Sequence, residues 1–271
     1  MTKLAVCQTL CKPGDVPANV AQGLDLIAAA GARGAELIVL PECHTTGLTA
    51  NLRDLAETVP GPTTEVYGVA AREAGAWVVA GIVEREDGQL YNTAIVLAPT
   101  GSLVAKYRKC YLYVGEREGG FCPGDTACVL DVGFVTAGVA ICYDYVFAEY
   151  LRDLVVRGAR LLVHPTAWVD TASCRQWRYP AAEAYRAQCL VRALENGVFF
   201  ASANHCGPYD EDGHLQAVGR SAIIAPWGEV LAEVAEGPGV AVAEADFSRI
   251  EPWAQTAAPY LHDFLTCPRP I

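Results

Sequence analysis

The chain has 271 residues, of which 52% are hydrophobic and 19% are charged, and its formal net charge is −11. This composition indicates a substantial buried core and excludes a disordered protein, and the length suits one large domain or two small ones. The acidic balance argues against nucleic-acid binding, which relies on clustered lysine and arginine. No apolar run is long enough to cross a bilayer, and the N-terminus predicts a strand rather than a secretory signal. We therefore expect a cytosolic protein without nucleic-acid or membrane partners.

Apolar strand patterns alternate with helical patterns in the first half of the chain. The predicted strands there are Leu4–Gln8, Leu37–Leu40, Trp77–Val83, Leu90–Ala98, Leu103–Tyr107, Cys128–Val132 and Val135–Ile141. The predicted helices are one that runs through Val20, Leu24, Ile27 and Ala28 and ends at Gly31, and one over Thr64–Ala74 that ends at Gly75.

The second half repeats this rhythm. Its predicted helices are Phe147–Arg157 and a longer one over Trp177–Glu195, and its predicted strands are Leu161–His164, Val198–Ala203, Gly219–Ile224, Val230–Val234 and Val240–Ala245. Strands mixed with helices in both halves, with no linker between them, predict one layered α/β domain over residues 1–271. The final stretch, Glu251–Ile271, has several prolines and no clear period. We expect it to be an arm that packs on this subunit or on a neighbour.

The eleven cysteines are expected to be reduced thiols. Their number is odd, and Cys7, Cys128 and Cys189 lie in apolar runs, where a free cysteine acts as a small hydrophobic residue. The chain has no C-x-x-C pair, and its five histidines are scattered along the sequence. We therefore expect no zinc site, no other metal and no cofactor.

Glu42 and Lys109 each follow a predicted strand. A carboxylate at the C-terminal end of a strand points into the crevice where open α/β sheets place ligands. Taken alone, Glu42 is better explained as a helix cap or a solvated loop acid. Lys109, next to Arg108, would by itself be interpreted as part of a solvated surface patch. Neither residue defines a site without the other.

Cys142 lies where an apolar strand stops and a helical pattern begins. The unpaired N–H groups and the positive dipole end of a helix favour a thiolate, so we expect an activated thiol here. A cysteine at a strand end is also commonly a packing residue, and this alternative stays open for Cys142 alone. Asp144, two residues later, is better explained as the N-cap of the following helix than as a catalyst.

Taken together, these segments resemble the carbon–nitrogen hydrolase family, the nitrilase superfamily. Its three signatures occur in order as Leu40-Pro41-Glu42, Tyr107-Arg108-Lys109 and Ile141-Cys142-Tyr143-Asp144. Later blocks that are also similar are Phe147–Arg152, Arg157–Ala159, Leu161–Trp168, Arg192–Asn196, Gly219–Ser221 and Pro226–Val230. The resemblance implies a four-layer α-β-β-α sandwich with two mixed β-sheets. It also implies subunits that pair through helices, as a homodimer or a higher homo-oligomer.

The resemblance further implies roles for these residues. Cys142 would attack the carbon of an amide or nitrile and form a thioester, and Glu42 would act as general base and then as general acid. Lys109 would stabilise the oxyanion together with the backbone N–H of Tyr143. The family has a second glutamate after the lysine, and with a one-residue shift Glu116 fits this position. Glu118 is the alternative.

Three aromatic residues are candidates for the wall of a substrate pocket: Tyr113, Tyr143 and Trp168. Trp168 follows Pro-Thr-Ala, and the family places this residue near the nucleophile. Tyr113 by itself is better explained by core or loop packing. The side chains that recognise the substrate are expected to lie in four loops, namely Thr45–Asn51, Tyr111–Phe121, Val169–Trp177 and Cys206–Leu215. They contain the acids Asp170, Asp210, Glu211 and Asp212, which would suit a cationic group but are commonly solvated.

We therefore expect a cysteine hydrolase that acts on a small-molecule amide or N-carbamoyl amine. A nitrilase is the enzymatic alternative, because it shares all three catalytic residues. A scaffold or binding protein with the same fold and no turnover is the non-enzymatic alternative. The intact set of Glu42, Lys109 and Cys142 argues against that last possibility.

Overall fold

The structure is a computed structural model that describes residues 1–257 and 259–267. Within these residues the strands are β1 (Thr2–Gln8), β2 (Leu37–Val39), β3 (Trp77–Glu86), β4 (Gln89–Leu97), β5 (Leu103–Arg108), β6 (Cys128–Asp131), β7 (Thr136–Val139), β8 (Leu161–Pro165), β9 (Val169–Asp170), β10 (Phe199–Ala203), β11 (Cys206–Pro208), β12 (Gln216–Val218), β13 (Ala222–Ile224), β14 (Val230–Glu233) and β15 (Gly239–Ala245).

The α-helices in the same part of the chain are α1 (Val16–Ala32), α2 (Leu52–Leu55), α3 (Pro62–Ala74), α4 (Val114–Glu118), α5 (Ala148–Val156), α6 (Ala172–Gln176), α7 (Ala181–Asn196), α8 (Ile250–Thr256) and α9 (Tyr260–Thr266). Two short 3₁₀ helices cover Cys142–Val146 and Phe247–Arg249. Most long elements therefore begin and end within a few residues of the predicted bounds.

Twelve strands form two six-stranded sheets with the same plan. The first sheet has the order β15-β1-β2-β3-β4-β5, and the second has the order β14-β13-β10-β8-β7-β6. The strands β1, β2 and β3 run parallel in the first sheet, as do β7, β8 and β10 in the second. The outer pairs are antiparallel. Both sheets are therefore mixed, with parallel strands at their centres, while β9, β11 and β12 form a small third sheet.

Alternating side chains on the central strands build the layers. On β1, Leu4 and Val6 lie in the core between the two large sheets, whereas Ala5 and Cys7 join the side chains of α1 and α3 in a second buried cluster. On the other side, α5 and α7 pack against the second sheet. The order of layers is helix, sheet, sheet, helix, so the predicted four-layer sandwich with two mixed sheets is confirmed.

Two predicted elements differ from the structure where the backbone turns sharply. The predicted helix over Trp177–Glu195 is wrong at its start, because α6 ends before it and α7 begins only at Ala181. Arg178 has a φ of 51°, which is left-handed, and Pro180 lacks the N–H that a helix interior needs. The strand predicted over Gly219–Ile224 begins at Ala222, since Gly219 has a φ of 67°.

The C-terminal stretch contains two helices, α8 and α9, where no periodic pattern was recognised. Within its described residues, α9 contacts α7, and the Arg152 guanidinium lies over the Phe264 ring at 5.1 Å from its centroid. Residues 258 and 268–271 of the predicted arm lie outside the described residues.

Candidate active site

Three charged side chains from different elements meet in a buried cluster. Glu42 follows β2, Lys109 follows β5, and Glu116 lies on α4. Lys109 Nζ donates to Glu42 Oε1 at 2.8 Å and to Glu116 Oε2 at 2.7 Å. Lys109 is only 1% exposed and Glu42 only 4%. The structure therefore places one buried ammonium between two carboxylates.

Glu118, the alternative second glutamate, has a different position. It is exposed at the end of α4, whereas Glu116 bonds to Lys109 and also accepts the backbone N–H of Tyr113 at 2.7 Å. The two acids are two residues apart on α4, and this half turn places their side chains on opposite sides of the helix, so that only Glu116 faces the lysine. The geometry thus favours Glu116 as the second glutamate of the cluster.

Asn92 on β4 links the two carboxylates. Its Nδ2 donates to Glu42 Oε1 and to Glu116 Oε1, each at 2.6 Å. The remaining oxygen of Glu42, Oε2, accepts the backbone N–H of Ala167 at 2.8 Å. Asn92 was not among the site residues predicted from the sequence. The available signal was a polar amide inside an otherwise apolar strand, where a buried side chain needs hydrogen-bonding partners.

Cys142 is the first residue of the 3₁₀ helix that follows β7. Its φ is 43°, a left-handed conformation that few residues other than glycine adopt and that is typical of strained functional positions. The thiol lies close enough to the Glu42 carboxylate to lower the pKa of that carboxyl group, and the residue is 8% exposed. Because the first N–H groups of a helix have no acceptor within it, the backbone N–H of Tyr143 is available to a ligand oxygen.

Asp144 holds this junction in place, but it is not the N-cap of α5 that the sequence suggested. Its Oδ2 accepts the Ile141 N–H at 2.8 Å and the Tyr107 hydroxyl at 2.7 Å. Its Oδ1 accepts the Tyr111 N–H at 2.9 Å. Because α5 begins only after the 3₁₀ helix, Asp144 caps the shorter helix from inside it. It ties the strand end before Cys142 to the segment after β5.

The mutual contacts of the cluster set its charges. Burial raises the pKa of Glu42. The Lys109 ammonium and hydrogen bonds from neighbouring donors lower this pKa by more than burial raises it, so the pKa lies below its ordinary value. Burial lowers the pKa of Lys109, but the negative charges around it, Glu42 first, raise the pKa well above its ordinary value. At neutral pH, Glu42 is therefore a carboxylate and Lys109 an ammonium.

The Cys142 thiol is protonated at rest, so the expectation of a thiolate favoured by the helix is wrong. Burial, first, and then the Glu42 carboxylate raise the pKa of the thiol, and Lys109, the Thr166 hydroxyl and the Ala167 N–H lower it only in part. The 3₁₀ helix has five residues, too few for a large dipole. A protonated thiol needs a base to become a nucleophile, and the Glu42 carboxylate lies near it.

Two buried histidines hold the backbone on either side of the cluster. His164 Nε2 donates to the carbonyl oxygen of Cys142 at 3.0 Å, and His205 Nε2 donates to that of Glu42 at 2.7 Å. Since a carbonyl can only accept, the proton lies on Nε2, and Nδ1 of each ring accepts from a hydroxyl at 2.7 Å. Burial lowers the pKa of each histidine to about 4, so both are neutral. Neither histidine was among the site residues predicted from the sequence.

The three predicted wall residues lie around the 3₁₀ helix. Tyr113, which is 48% exposed, meets Tyr143 edge to face with ring centroids 5.4 Å apart. Trp168 meets Tyr145 edge to face at 5.1 Å, and its backbone N–H donates to Asn204 Oδ1 at 2.9 Å. The aromatic rings therefore border the helix that carries the thiol.

The acids of the four predicted substrate loops are engaged within the loops. Asp210 Oδ1 accepts the Leu215 N–H at 2.9 Å, and Glu211 accepts the Thr49 hydroxyl. Asp170 lies 3.5 Å from an Arg175 nitrogen, and Asp212 lies 4.0 Å from His214. These contacts account for Asp210 and Glu211 without a cationic substrate.

Further features concern only the part of the chain that the structure describes. No helix in residues 1–257 and 259–267 is long and apolar enough to cross a membrane. In the same residues, no group of three or more histidine, cysteine, aspartate or glutamate side chains is arranged to hold a metal ion. All eleven cysteines are free thiols.

Comparison with known proteins gives the family. The carbon-nitrogen hydrolase family model matches residues 3–255. Omega-amidase NIT2-A of Xenopus laevis is 35% identical over 90% of this chain and 88% of its own. A nitrilase of Pyrococcus abyssi is 35% identical over 91% of this chain and 90% of its own. Among solved structures, the NitN amidase from Nesterenkonia sp. AN1 superposes with a TM-score of 0.80 and 28% identity, covering 97% of this chain and 96% of its own.

The fold, the cluster and these similarities agree. The chain belongs to the carbon–nitrogen hydrolase family. Its omega-amidase and amidase relatives, one of which was trapped with acrylamide added at its active-site cysteine, identify it as a cysteine-dependent hydrolase. The resemblance inferred from the three sequence motifs is thereby confirmed.

Proposed function

We propose that this chain hydrolyses the C–N bond of a small-molecule amide, with Cys142 as nucleophile and Glu42 as general base. Lys109 would stabilise the oxyanion, and Glu116 would hold Lys109 in place. The observation that carries the proposal is the buried ammonium of Lys109, held between two carboxylates beside a protonated thiol. Groups whose environments push their pKa values apart are typical of acid–base sites.

In the first half of the reaction, the Cys142 thiol gives its proton to Glu42 as the sulfur bonds to the amide carbon. The carbonyl oxygen becomes an oxyanion, which Lys109 Nζ and the Tyr143 N–H stabilise. Glu42 then returns the proton to the amide nitrogen, the C–N bond breaks, and ammonia or an amine leaves. A thioester on Cys142 remains, and Glu42 is again a carboxylate.

In the second half, Glu42 removes a proton from a water molecule, whose oxygen attacks the thioester carbon. The same two donors stabilise the second oxyanion. The C–S bond breaks, the thiolate takes the proton back from Glu42, and a carboxylic acid leaves. Each proton that Glu42 accepts is passed on to the leaving group within the same half-reaction, so one carboxylate serves both half-reactions.

The proposed substrates are uncharged aliphatic amides and ω-amidated dicarboxylates. The Xenopus relative is an omega-amidase, and the amidase from Nesterenkonia sp. AN1 was solved with butyramide bound. Aromatic side chains at Tyr113, Tyr143 and Trp168 would form an apolar wall for the acyl chain. N-carbamoyl amines, which carry the same C–N bond, are the second class to test.

Nitrile hydrolysis is the second candidate function. It is favoured by the 35% identity to the Pyrococcus abyssi nitrilase. Cys142 would add to the nitrile carbon to give a thioimidate, and water would then release ammonia and form the same thioester. The two functions differ in substrate, and the candidate cluster serves both.

An ammonia-release screen tests the proposal. The panel contains aliphatic amides, ω-amidated dicarboxylates, N-carbamoyl amines and nitriles, each with wild type, Cys142→Ala and Glu42→Gln. We expect turnover of at least one amide, none with Cys142→Ala, and a loss of about 10²- to 10⁴-fold with Glu42→Gln, which removes the base. Turnover near the wild-type rate by a folded Cys142→Ala protein would contradict the mechanism.

We also propose a homodimer that pairs through the face of α5 and α7. This face has a groove of about 570 Å³, which α9 borders. Val156 is 46% exposed there.

The remaining proposals concern the whole chain. Residues 1–271 are proposed to form one catalytic domain, with 251–271 as an arm, and the contact of α9 with α7 supports this for the described part. We propose a cytosolic location, because a reducing compartment would keep eleven free thiols, including the nucleophile, reduced.

A further inference from the structure

Thr166 has a buried hydroxyl without a hydrogen-bond partner among the described residues. The residue is 0% exposed, and Oγ1 makes no hydrogen bond of normal geometry. Its backbone is satisfied, because the N–H donates to Ala203 O at 2.8 Å and the carbonyl accepts the Glu42 N–H at 3.4 Å. A buried, unpaired hydroxyl costs free energy, and native structures seldom retain one without a use.

The strand geometry directs this hydroxyl towards the thiol. Thr166 directly follows β8, and its N–H continues the pairing with β10. Side chains two residues apart on an extended strand lie on the same face, so Thr166 shares a face with His164. His164 Nε2 bonds the carbonyl of Cys142 at 3.0 Å. The Thr166 hydroxyl is close enough to Cys142 to lower the pKa of its thiol.

The next residue reaches the proposed base. The N–H of Ala167 donates to Glu42 Oε2 at 2.8 Å. His164 at the end of β8 thus contacts the backbone of Cys142, Thr166 lies near its thiol, and Ala167 binds the carboxylate that would take its proton. The unpaired hydroxyl is the middle one of the three.

We propose that the Thr166 hydroxyl donates a hydrogen bond to Cys142 Sγ once the thiol proton has moved to Glu42, and so aims the sulfur at the substrate carbon. The hydroxyl keeps its own proton throughout, and no covalent bond changes on Thr166. Thr166 is then a positioning residue that acts through Cys142. This inference rests on the proposed function, since it takes Cys142 as the nucleophile.

The substitution Thr166→Val separates this role from packing. Valine has nearly the shape of threonine and removes an unpaired buried hydroxyl, so we expect an unchanged or raised melting temperature. We expect kcat to fall by roughly 10- to 100-fold with little change in KM, the loss typical of one hydrogen bond to a charged group. Thr166→Ser retains the hydroxyl and should restore most of the rate.

The pH dependence of alkylation gives a second readout. Iodoacetamide alkylates the thiolate form of a cysteine. The rate at which Cys142 is labelled, measured from the mass of its peptide, therefore reports the fraction of thiolate. Loss of a donor to the thiolate raises the pKa of the thiol, so the labelling profile of Thr166→Val should move to higher pH, and that of Thr166→Ser should stay near wild type. Thr64→Val is the matched control. Thr64 is a buried threonine on α3 whose hydroxyl accepts the Gly61 N–H, so this variant should lose stability and keep its activity.

The outcomes distinguish the two proposals. If Cys142→Ala keeps its turnover, the proposed function fails, and this inference fails with it. If Cys142→Ala is inactive but Thr166→Val keeps the wild-type kcat and labelling profile, only the inference is overturned. A Thr166→Val protein that loses stability and activity together, with an unshifted labelling profile, would show that Thr166 is structural and would also overturn it.

Discussion

At the scale of single residues, the cluster depends on one cation. Lys109 is buried and donates hydrogen bonds to Glu42 and Glu116. Without this ammonium, the two carboxylates would lie close together with no positive partner. The attraction between buried opposite charges is strong because little water screens it, but each charge also pays a large desolvation cost. The lysine therefore supports both the local structure and the proposed oxyanion site.

Replacing Lys109 by Met should lower both the activity and the stability of the protein. We expect kcat/KM to fall by about 10²- to 10³-fold, because one oxyanion donor is lost. We expect the free energy of unfolding to fall by about 3–5 kcal/mol, because two buried carboxylates lose their partner. Steady-state kinetics and urea unfolding measure the two effects.

Lys106→Met is the matched control for that substitution. Lys106 also bonds two glutamates, Glu84 and Glu86, but its side chain is 31% exposed, and Arg108 still pairs with Glu84 when it is gone. We expect a change of about 1 kcal/mol or less and unchanged kinetics. Equal losses of stability and activity in the two variants would show that the effect of Lys109→Met comes from the loss of a charge alone and not from the buried position of Lys109.

Asn92→Ala should alter the pH dependence of activity. The hydrogen bond from Asn92 is among the contacts that lower the pKa of Glu42, so its loss raises that pKa. A general base works only as the carboxylate, and the acid limb of the kcat/KM profile should therefore move to higher pH. The variant should lose more activity at acid pH than at neutral pH. Parallel profiles for wild type and variant would contradict this role of Asn92.

At the scale of elements, the junction between β7 and the 3₁₀ helix is the feature that presents the thiol. Cys142 is held at a φ of 43°, and Asp144 closes the junction by accepting three donors. Such a strained conformation persists only where the surroundings fix it. The carboxylate of Asp144 supplies that restraint, because it accepts hydrogen bonds from residues at the end of β7 and at the end of β5.

Asp144→Ala should therefore unfold more easily and lose activity. It leaves the Ile141 N–H, the Tyr111 N–H and the Tyr107 hydroxyl buried without an acceptor, which costs about 3 kcal/mol or more. The midpoint of urea unfolding and kcat/KM both report it. Asp153→Ala on α5 is the control, because its ion pair with Arg157 is exposed and is worth only a few tenths of a kcal/mol. Equal midpoints for the two variants would contradict this account.

Elements with a clear apolar period were predictable, whereas those fixed by turns were not. The central strands and α1, α3 and α5 were found because each buries one face or both. The break between α6 and α7 was missed because the left-handed Arg178 before Pro180 carries no apolar pattern. The helices α8 and α9 were missed for a similar reason, since their described side chains are mostly exposed and give no stripe.

At the scale of the whole molecule, the candidate site joins the two sheets. Glu42, Asn92 and Lys109 come from the first sheet and the loops that follow its strands. Cys142 and Ala167 follow strands of the second sheet. The proton-transfer distance between base and nucleophile therefore depends on the packing of the two sheets, and substitutions in the core between them should affect activity as well as stability.

The proposed dimer is tested by Val156→Glu. This residue is 46% exposed on α5, so the new charge should leave the subunit folded but prevent a second α5–α7 face from packing on it. Analytical ultracentrifugation should show a dimer for wild type and a monomer for the variant. Val69→Glu is the control, since Val69 is 43% exposed on α3 in the opposite helix layer. A wild-type monomer, or dissociation caused by Val69→Glu alone, would contradict the proposed interface.

The sequence by itself determined the class of the protein and singled out the residues proposed to carry its chemistry. Glu42, Lys109 and Cys142 stand at strand ends in recognisable motifs, and this local information is complete in the chain. Only the tertiary structure decided how they work. The pKa of Cys142, the choice of Glu116 over Glu118, and the contributions of Asn92, Thr166 and the two histidines all depend on burial and on partners distant in sequence. Such contacts form only when the two sheets pack together.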